Sequence, residues 1–98
     1  MNDSNTDNTN QGYRKALVQV LRTSEQNLRR QNHRLRLANK QVKMLYAIKR
    51  GLKKTDNVEY AETCYQLVVA RDVRRTAQRC IQYYKEDCAR FRLLLQRK

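Results

Sequence analysis

Leu21, Leu28, Leu35 and Val42 recur every seven residues, and Leu17, Ser24, Gln31, Ala38, Leu45 and Leu52 form a second row between them. Alternating steps of three and four residues put both rows on one face of an α-helix, at the spacing of a coiled-coil seam. Ser24 and Gln31 interrupt it with polar side chains. The chain contains no proline, and Gly12 and Gly51 are its only glycines, so nothing within the repeat breaks a helix. The seam therefore predicts a helix over about residues 11–54, roughly 60 Å long at about 1.5 Å per residue. One narrow apolar stripe cannot hold such a rod folded alone, so it must pack on something.

The segment Gly51-Leu-Lys-Lys-Thr-Asp-Asn57 is the one convincing break. Gly51 suits a helix end, and Asp56 with Glu59 three residues later resembles a capping box opening a second helix. A break at Lys54 or Thr55 fits as well. The second helix is expected over about 57–96, with a stripe of Leu67, Ala70, Val73, Ala77, Cys80/Ile81, Tyr84, Cys88, Phe91 and Leu94/Leu95. Two long helices and a short connector make an all-α antiparallel hairpin, a single domain over 11–98. Residues 1–10 are polar and Asn-rich, and read as a disordered tail. A chain of 98 residues buries little surface on its own. Tyr60, Cys64, Tyr65, Val68 and Tyr83 also lie off the main stripe of the second helix. Both features favour two hairpins pairing into a four-helix bundle, with Leu21, Leu28, Leu35, Val42, Leu45, Ala77, Tyr84 and Phe91 in the core or dimer contact.

Charge separates the two halves. The chain carries a formal net charge of +13, and residues 11–54 hold 13 Lys and Arg against one acid, Glu25. Residues 55–98 hold nine against six. Arg22, Arg29, Arg36, Lys43 and Arg50 repeat every seven residues, each one position after a member of the Leu21 row or its continuation. Gln26, His33, Lys40 and Lys54 fill alternate turns of the same stripe, and Arg30, Arg34 and Lys49 flank it. A solvated coiled-coil face normally mixes signs through i,i+4 pairs. Here the cations repel one another, and the natural complement is a periodic row of phosphates. Such a row positions a backbone without reading bases. An anionic membrane surface or an acidic protein is the weaker alternative, and no apolar run approaches the roughly 18 residues of a spanning helix.

Basic-zipper proteins place their basic block before the leucine repeat, whereas here the two coincide, so that reading fits poorly. Single-strand binding favours aromatic platforms, and the first helix offers Tyr13 and Tyr46 alone. A flat rod suits duplex RNA, whose wide minor groove is recognised by shape through phosphates and 2′-hydroxyls. In the second helix, Val73-Arg74-Arg75, then Cys80, then Ala89-Arg90-Phe91-Arg92 resemble a short stretch of the nodavirus suppressors of RNA silencing that bind double-stranded RNA. The likeness covers about 20 residues, with spacings that differ by one or more positions. It implies an antiparallel four-helix homodimer lying along one face of an RNA duplex, shielding it from Dicer-type processing. It further implies that Arg71, Arg74, Arg75, Arg79 and Arg90 share the RNA face with the first-helix stripe, and it leaves a host silencing protein as a further partner. The family relies heavily on its second helix; in this chain most charge lies on the first.

The remaining residues suggest no chemistry. His33, the single histidine, lies in the basic stripe without a base or metal partner. Asp72 sits at helical spacing from Arg75 and near Arg71 and Arg79, as an ion-pair partner would. Cys64, Cys80 and Cys88 form neither a CxxC nor a Cys/His set and are expected to be reduced and structural. No nucleophile–base set, glycine-rich phosphate loop or metal cluster stands out, so neither an enzyme nor a bound metal or cofactor is expected. With no signal-like segment, the expected place is the cytoplasm, the host's if the protein is viral, with the nucleus second. The competing expectation is a coiled-coil scaffold or ribonucleoprotein assembly protein, its seam docked on another protein and its cations on an acidic partner or structured RNA.

Overall fold

A computed structural model describes the backbone of residues 2–55 and 57–97 and the side chains of 10–55 and 57–97. Two helices make up the fold: α1, Asn2–Arg50, and α2, Val58–Gln96. They lie side by side as an extended hairpin measuring 81 × 17 × 14 Å. Its radius of gyration is 22.4 Å, far above the roughly 13 Å of a compact domain of this length.

The element boundaries differ from the expected ones in three places. Helix α1 starts at Asn2, so the polar segment read as a tail is helical; once a helix exists, each further residue adds one hydrogen bond, and nothing before Gly12 interrupts it. It ends at Arg50, four residues early, where Gly51 N–H donates to Ile48 O at 3.0 Å and Leu52 N–H to Lys49 O at 3.2 Å. These tightened bonds use up the last carbonyls, and Lys54 falls in the connector. Helix α2 is capped by Asn57, whose Oδ1 accepts from Tyr60 N–H at 3.2 Å. The capping role proposed for Asp56 falls outside the described residues.

The seam explains nearly all of the burial. On α1 it runs Leu17, Leu21, Ser24, Leu28, Gln31, Leu35, Ala38, Val42, Leu45 and Lys49, continued by Leu52 in the connector, each buried or half-buried. On α2 it runs Tyr60, Thr63, Leu67, Ala70, Arg74, Ala77, Ile81, Tyr84, Cys88, Phe91 and Leu95, again each buried or half-buried. Every fully buried residue among those described belongs to these two rows. Pairing is antiparallel: Lys49 Nζ sits 5.7 Å from the Tyr60 ring centroid near the turn. At the other end Arg14 donates to Leu95 O at 3.1 Å. Between them Val42, Leu45, Leu67 and Ala70 form one buried cluster.

The deepest row on α1 is not the leucine row. Leu17, Ser24, Ala38 and Leu45 are buried, whereas Leu21, Leu28 and Leu35 are half-buried. Small residues line the contact: Ala38 on α1, Ala70 and Ala77 on α2. They let the helices approach closely, and the larger leucines are displaced to the rims. Tyr84 and Phe91 are half-buried, while Val42, Leu45 and Ala77 are buried as expected. Val73, placed in the α2 stripe from sequence, lies beside the seam and Arg74 occupies it instead; of the Cys80/Ile81 pair, Ile81 is in the seam and Cys80 beside it. Leu67, Arg74, Ile81, Cys88 and Leu95 are seven apart, so position 74 must face α1 whatever residue stands there.

The seam carries polar cost. Thr63 satisfies its hydroxyl by donating to Glu59 O at 2.7 Å. Gln31 Oε1 is hidden and accepts no hydrogen bond among the described residues. An unpaired buried acceptor costs on the order of 1–3 kcal/mol. Gln31→Leu should therefore raise the unfolding free energy by about 1 kcal/mol, read as a higher urea midpoint at unchanged slope. An unchanged or lowered midpoint would show that the amide is satisfied in solution.

Candidate nucleic-acid interface

Successive residues of an α-helix are about 100° apart, so seam residues have distinct neighbours on their two flanks. Residues immediately following a seam residue lie on one flank, and residues immediately preceding one lie on the other. Antiparallel packing brings the two following flanks to the same side of the hairpin and the two preceding flanks to the opposite side. The contacts agree. Glu25 and Arg92, both following residues, meet at 3.7 Å. A groove on the opposite side is lined by Arg34, Val69, Val73 and Thr76, all preceding residues, with Asp72 at its edge.

The following side collects the charge. From α1 it carries Lys15, Arg22, Arg29, Arg36, Lys43 and Arg50; from α2, Arg71, Arg75, Lys85 and Arg92. All ten are exposed, and Glu25 is the single acid among the helical residues of this side. The Glu25–Arg92 pair is itself exposed, so it offsets little of that excess. At seven-residue spacing the α1 cations stand about 10.5 Å apart, and Arg22 to Arg50 spans about 42 Å. Leu35, Arg29, Arg36, Asn32 and Asn39 line a shallow groove on this side. The two asparagines place side-chain amides, able to donate and accept, between the cations of the row.

The preceding side is different in kind. Its helical cations are Arg30, Arg34 and Arg90, matched in number by Glu59, Glu62 and Asp87. Arg90 and Asp87 approach at 3.7 Å. Uncharged polar residues such as Asn27 and Gln41 share the rest with exposed apolar ones, Val20, Leu37, Met44 and Ile48 on α1 and Val69, Val73 and Tyr83 on α2. Cys80 lies half-buried among them, and all three cysteines are free.

The residues singled out from sequence divide accordingly. Arg22, Arg29, Arg36, Lys43, Arg50, Arg71 and Arg75 share the cationic side. His33, Lys40 and Arg79 point away from the seam along the outer edges, where Lys40 and Arg79 are balanced in number by Asp72 and Glu86. Arg30 and Arg90 belong to the neutral side, and Lys54 to the connector. Arg74 is half-buried in the seam, which removes it from any exposed row. Asp72 forms no ion pair with Arg71, Arg75 or Arg79 among the described residues. Sequence reasoning missed Lys15 on α1, Lys85 and Arg92, which complete the α2 contribution, and Asn32 and Asn39. Their signal was available: each follows a seam residue.

Among the described residues, no helix is long and apolar enough to cross a membrane, and no three His, Cys, Asp or Glu side chains gather as metal ligands would. No protein-family model, curated protein or solved structure matches the chain.

Proposed function

We propose that the protein binds double-stranded RNA along its backbone, without sequence preference, through the cationic side of the hairpin. The observation that carries this reading is the segregation of ten exposed cations and a single acid onto one side, drawn from both helices. A solvated surface has no need to exclude acids from one side and balance them on the other. A straight rod with cations along about 42 Å suits the phosphates flanking a wide, shallow minor groove. Bases are not read, because Lys and Arg in such a row meet phosphates. Asn32 and Asn39, between the cations, are suited to the 2′-hydroxyls that distinguish RNA from DNA. In biological terms the activity is that of a suppressor of RNA silencing, which shields duplex RNA from Dicer-type processing. Of the five arginines that the short α2 resemblance implies for the RNA face, Arg71 and Arg75 lie on the cationic side, whereas Arg74 is in the seam, Arg79 on an outer edge and Arg90 on the neutral side.

The same partition supports a homodimer. The neutral side exposes Leu37, Met44, Val69 and Tyr83 at 44–60% of their surface, enough apolar area to drive association. Two copies can bring these sides together without opposing a net like charge. A scaffold role, with another coiled-coil protein seated on this side, is the competing reading.

Three measurements test these statements. In a gel-shift titration against a 25-base-pair RNA duplex, Arg29→Gln/Arg36→Gln/Lys43→Gln should lower the salt slope by about three, one unit per phosphate contact. Its helix content should stay that of the wild type; wild-type affinity in the triple variant would refute the interface. Asn32→Ala/Asn39→Ala should bring the affinity for duplex RNA down toward that for duplex DNA of the same sequence. An unchanged preference removes those amides from recognition. By sedimentation equilibrium the purified chain should show twice its 11.8 kDa mass, and Leu37→Glu/Val73→Glu should return it to the single mass. A monomeric wild type would favour the scaffold.

A further inference from the structure

We infer that the dimer is a bivalent bridge that holds two RNA duplexes at once, one on each outer side of the bundle. This rests on the duplex-RNA and self-pairing readings and adds a function to them. Within one hairpin, the following and preceding flanks of both helices lie on opposite sides of the plane that contains the two helix axes. The cationic side and the neutral side therefore point in opposite directions. Burying one neutral side against another leaves the two cationic sides facing away from each other across the bundle.

The occupant of the neutral side follows from charge and size. Three arginines and three acids share that side, so a second copy meets no net like charge there. The cationic side cannot pair with itself without opposing ten cations to ten. Viewed from the side, the hairpin measures 81 × 17 Å. Over the stretch where both helices are present, Arg14 to Arg50 or about 54 Å, that width gives an outline of about 900 Å², comparable to the roughly 800 Å² per partner of a standard interface. The exposed residues Leu37 and Met44 on α1, with Val69 and Val73 on α2, lie together in the half of the hairpin nearer the connector.

Thickness decides that both cationic sides stay usable. A hairpin is 14 Å through its thinner dimension, so two stacked hairpins hold their outer cations apart by well over a Debye length of about 8 Å at physiological salt. A duplex bound on one side therefore repels a second duplex on the other only weakly. The silencing-suppressor resemblance, by contrast, implies a bundle with one RNA face. The two arrangements differ in stoichiometry: two duplexes per dimer here, one there.

The test uses the full chain and two RNA duplexes of about 25 base pairs with unrelated sequences. One is tethered to a surface; after protein is loaded and the excess washed away, the second, fluorescent duplex is added. Wild type should retain about one fluorescent duplex per bound dimer. Premixing protein with both duplexes should make retention rise and then fall as protein exceeds RNA, since each duplex then saturates separately. Leu37→Glu/Val73→Glu should still coat the tether, because its cationic side is intact, yet retain less than a tenth of the fluorescence. A wild-type dimer that coats the tether but captures no second duplex overturns the bridge and leaves the duplex-RNA reading standing. Equal capture by the monomeric variant also overturns it, because bridging would then not need the pairing. Failure to coat the tether at all defeats the duplex-RNA reading, and the bridge with it.

Discussion

The antiparallel seam is the constraint on which the rest of this molecule depends. A single helix with a seven-residue apolar repeat has flanks but no fixed relation to anything beyond itself. Laying α2 against it in the opposite direction assigns each flank to a side, because following flanks meet following flanks. The close contact at Ala38, Ala70 and Ala77 holds that assignment. A rotation of either helix by one position would bring large side chains into a gap filled now by methyl groups, and overpacking of that kind typically costs on the order of 1–3 kcal/mol. The separation of charge from apolar surface is thus a consequence of antiparallel packing at the seam.

The polar members of the seam belong to the same logic. Gln31 and Arg74 each occupy a position where an aliphatic side chain would stabilise the pair more. A polar residue at a single seam position is a known means of fixing register, since any slip moves it against apolar neighbours. In a hairpin whose other seam residues are mostly Leu, Ala and small polar groups, several registers would otherwise bury similar area. Register matters here because the α2 cations must fall opposite the α1 row on the same side, and a slip of one residue moves Arg71 and Arg75 out of it.

Much of this was legible in the sequence, and the failures have identifiable causes. The repeat from Leu17 to Leu52, the break near Gly51 and the heptad row of α1 cations are periodic signals, and the helices carry them as read. The second helix was read by hydrophobicity rather than by phase. Val73 looks like core and Arg74 like surface, yet the seven-residue spacing from Leu67 to Ile81 places them the other way. Contributions that depend on both helices needed two steps, the phase of the α2 seam and then its antiparallel pairing with α1. Lys85 and Arg92 mean nothing on α2 alone; they join the basic side once antiparallel packing decides which flanks meet. The helical start at Asn2 lies beyond the reach of apolar periodicity, since the segment has none.

How ten cations coexist on one side with a single acid is a matter of spacing against screening. Along α1 the row repeats about every 10.5 Å, slightly more than the Debye length of about 8 Å at physiological salt. Neighbours in the row are therefore largely screened from one another, and their repulsion takes little from the stability supplied by the seam. A phosphate in contact sits well inside that length and feels each cation almost fully. The same geometry thus discriminates between the repulsion that opposes folding and the attraction that drives binding. Lowering the salt shifts both, and it strengthens the attraction faster, because counterions are released at every contact. The hairpin can carry its charge without an acidic counterpart for as long as the seam holds the row straight.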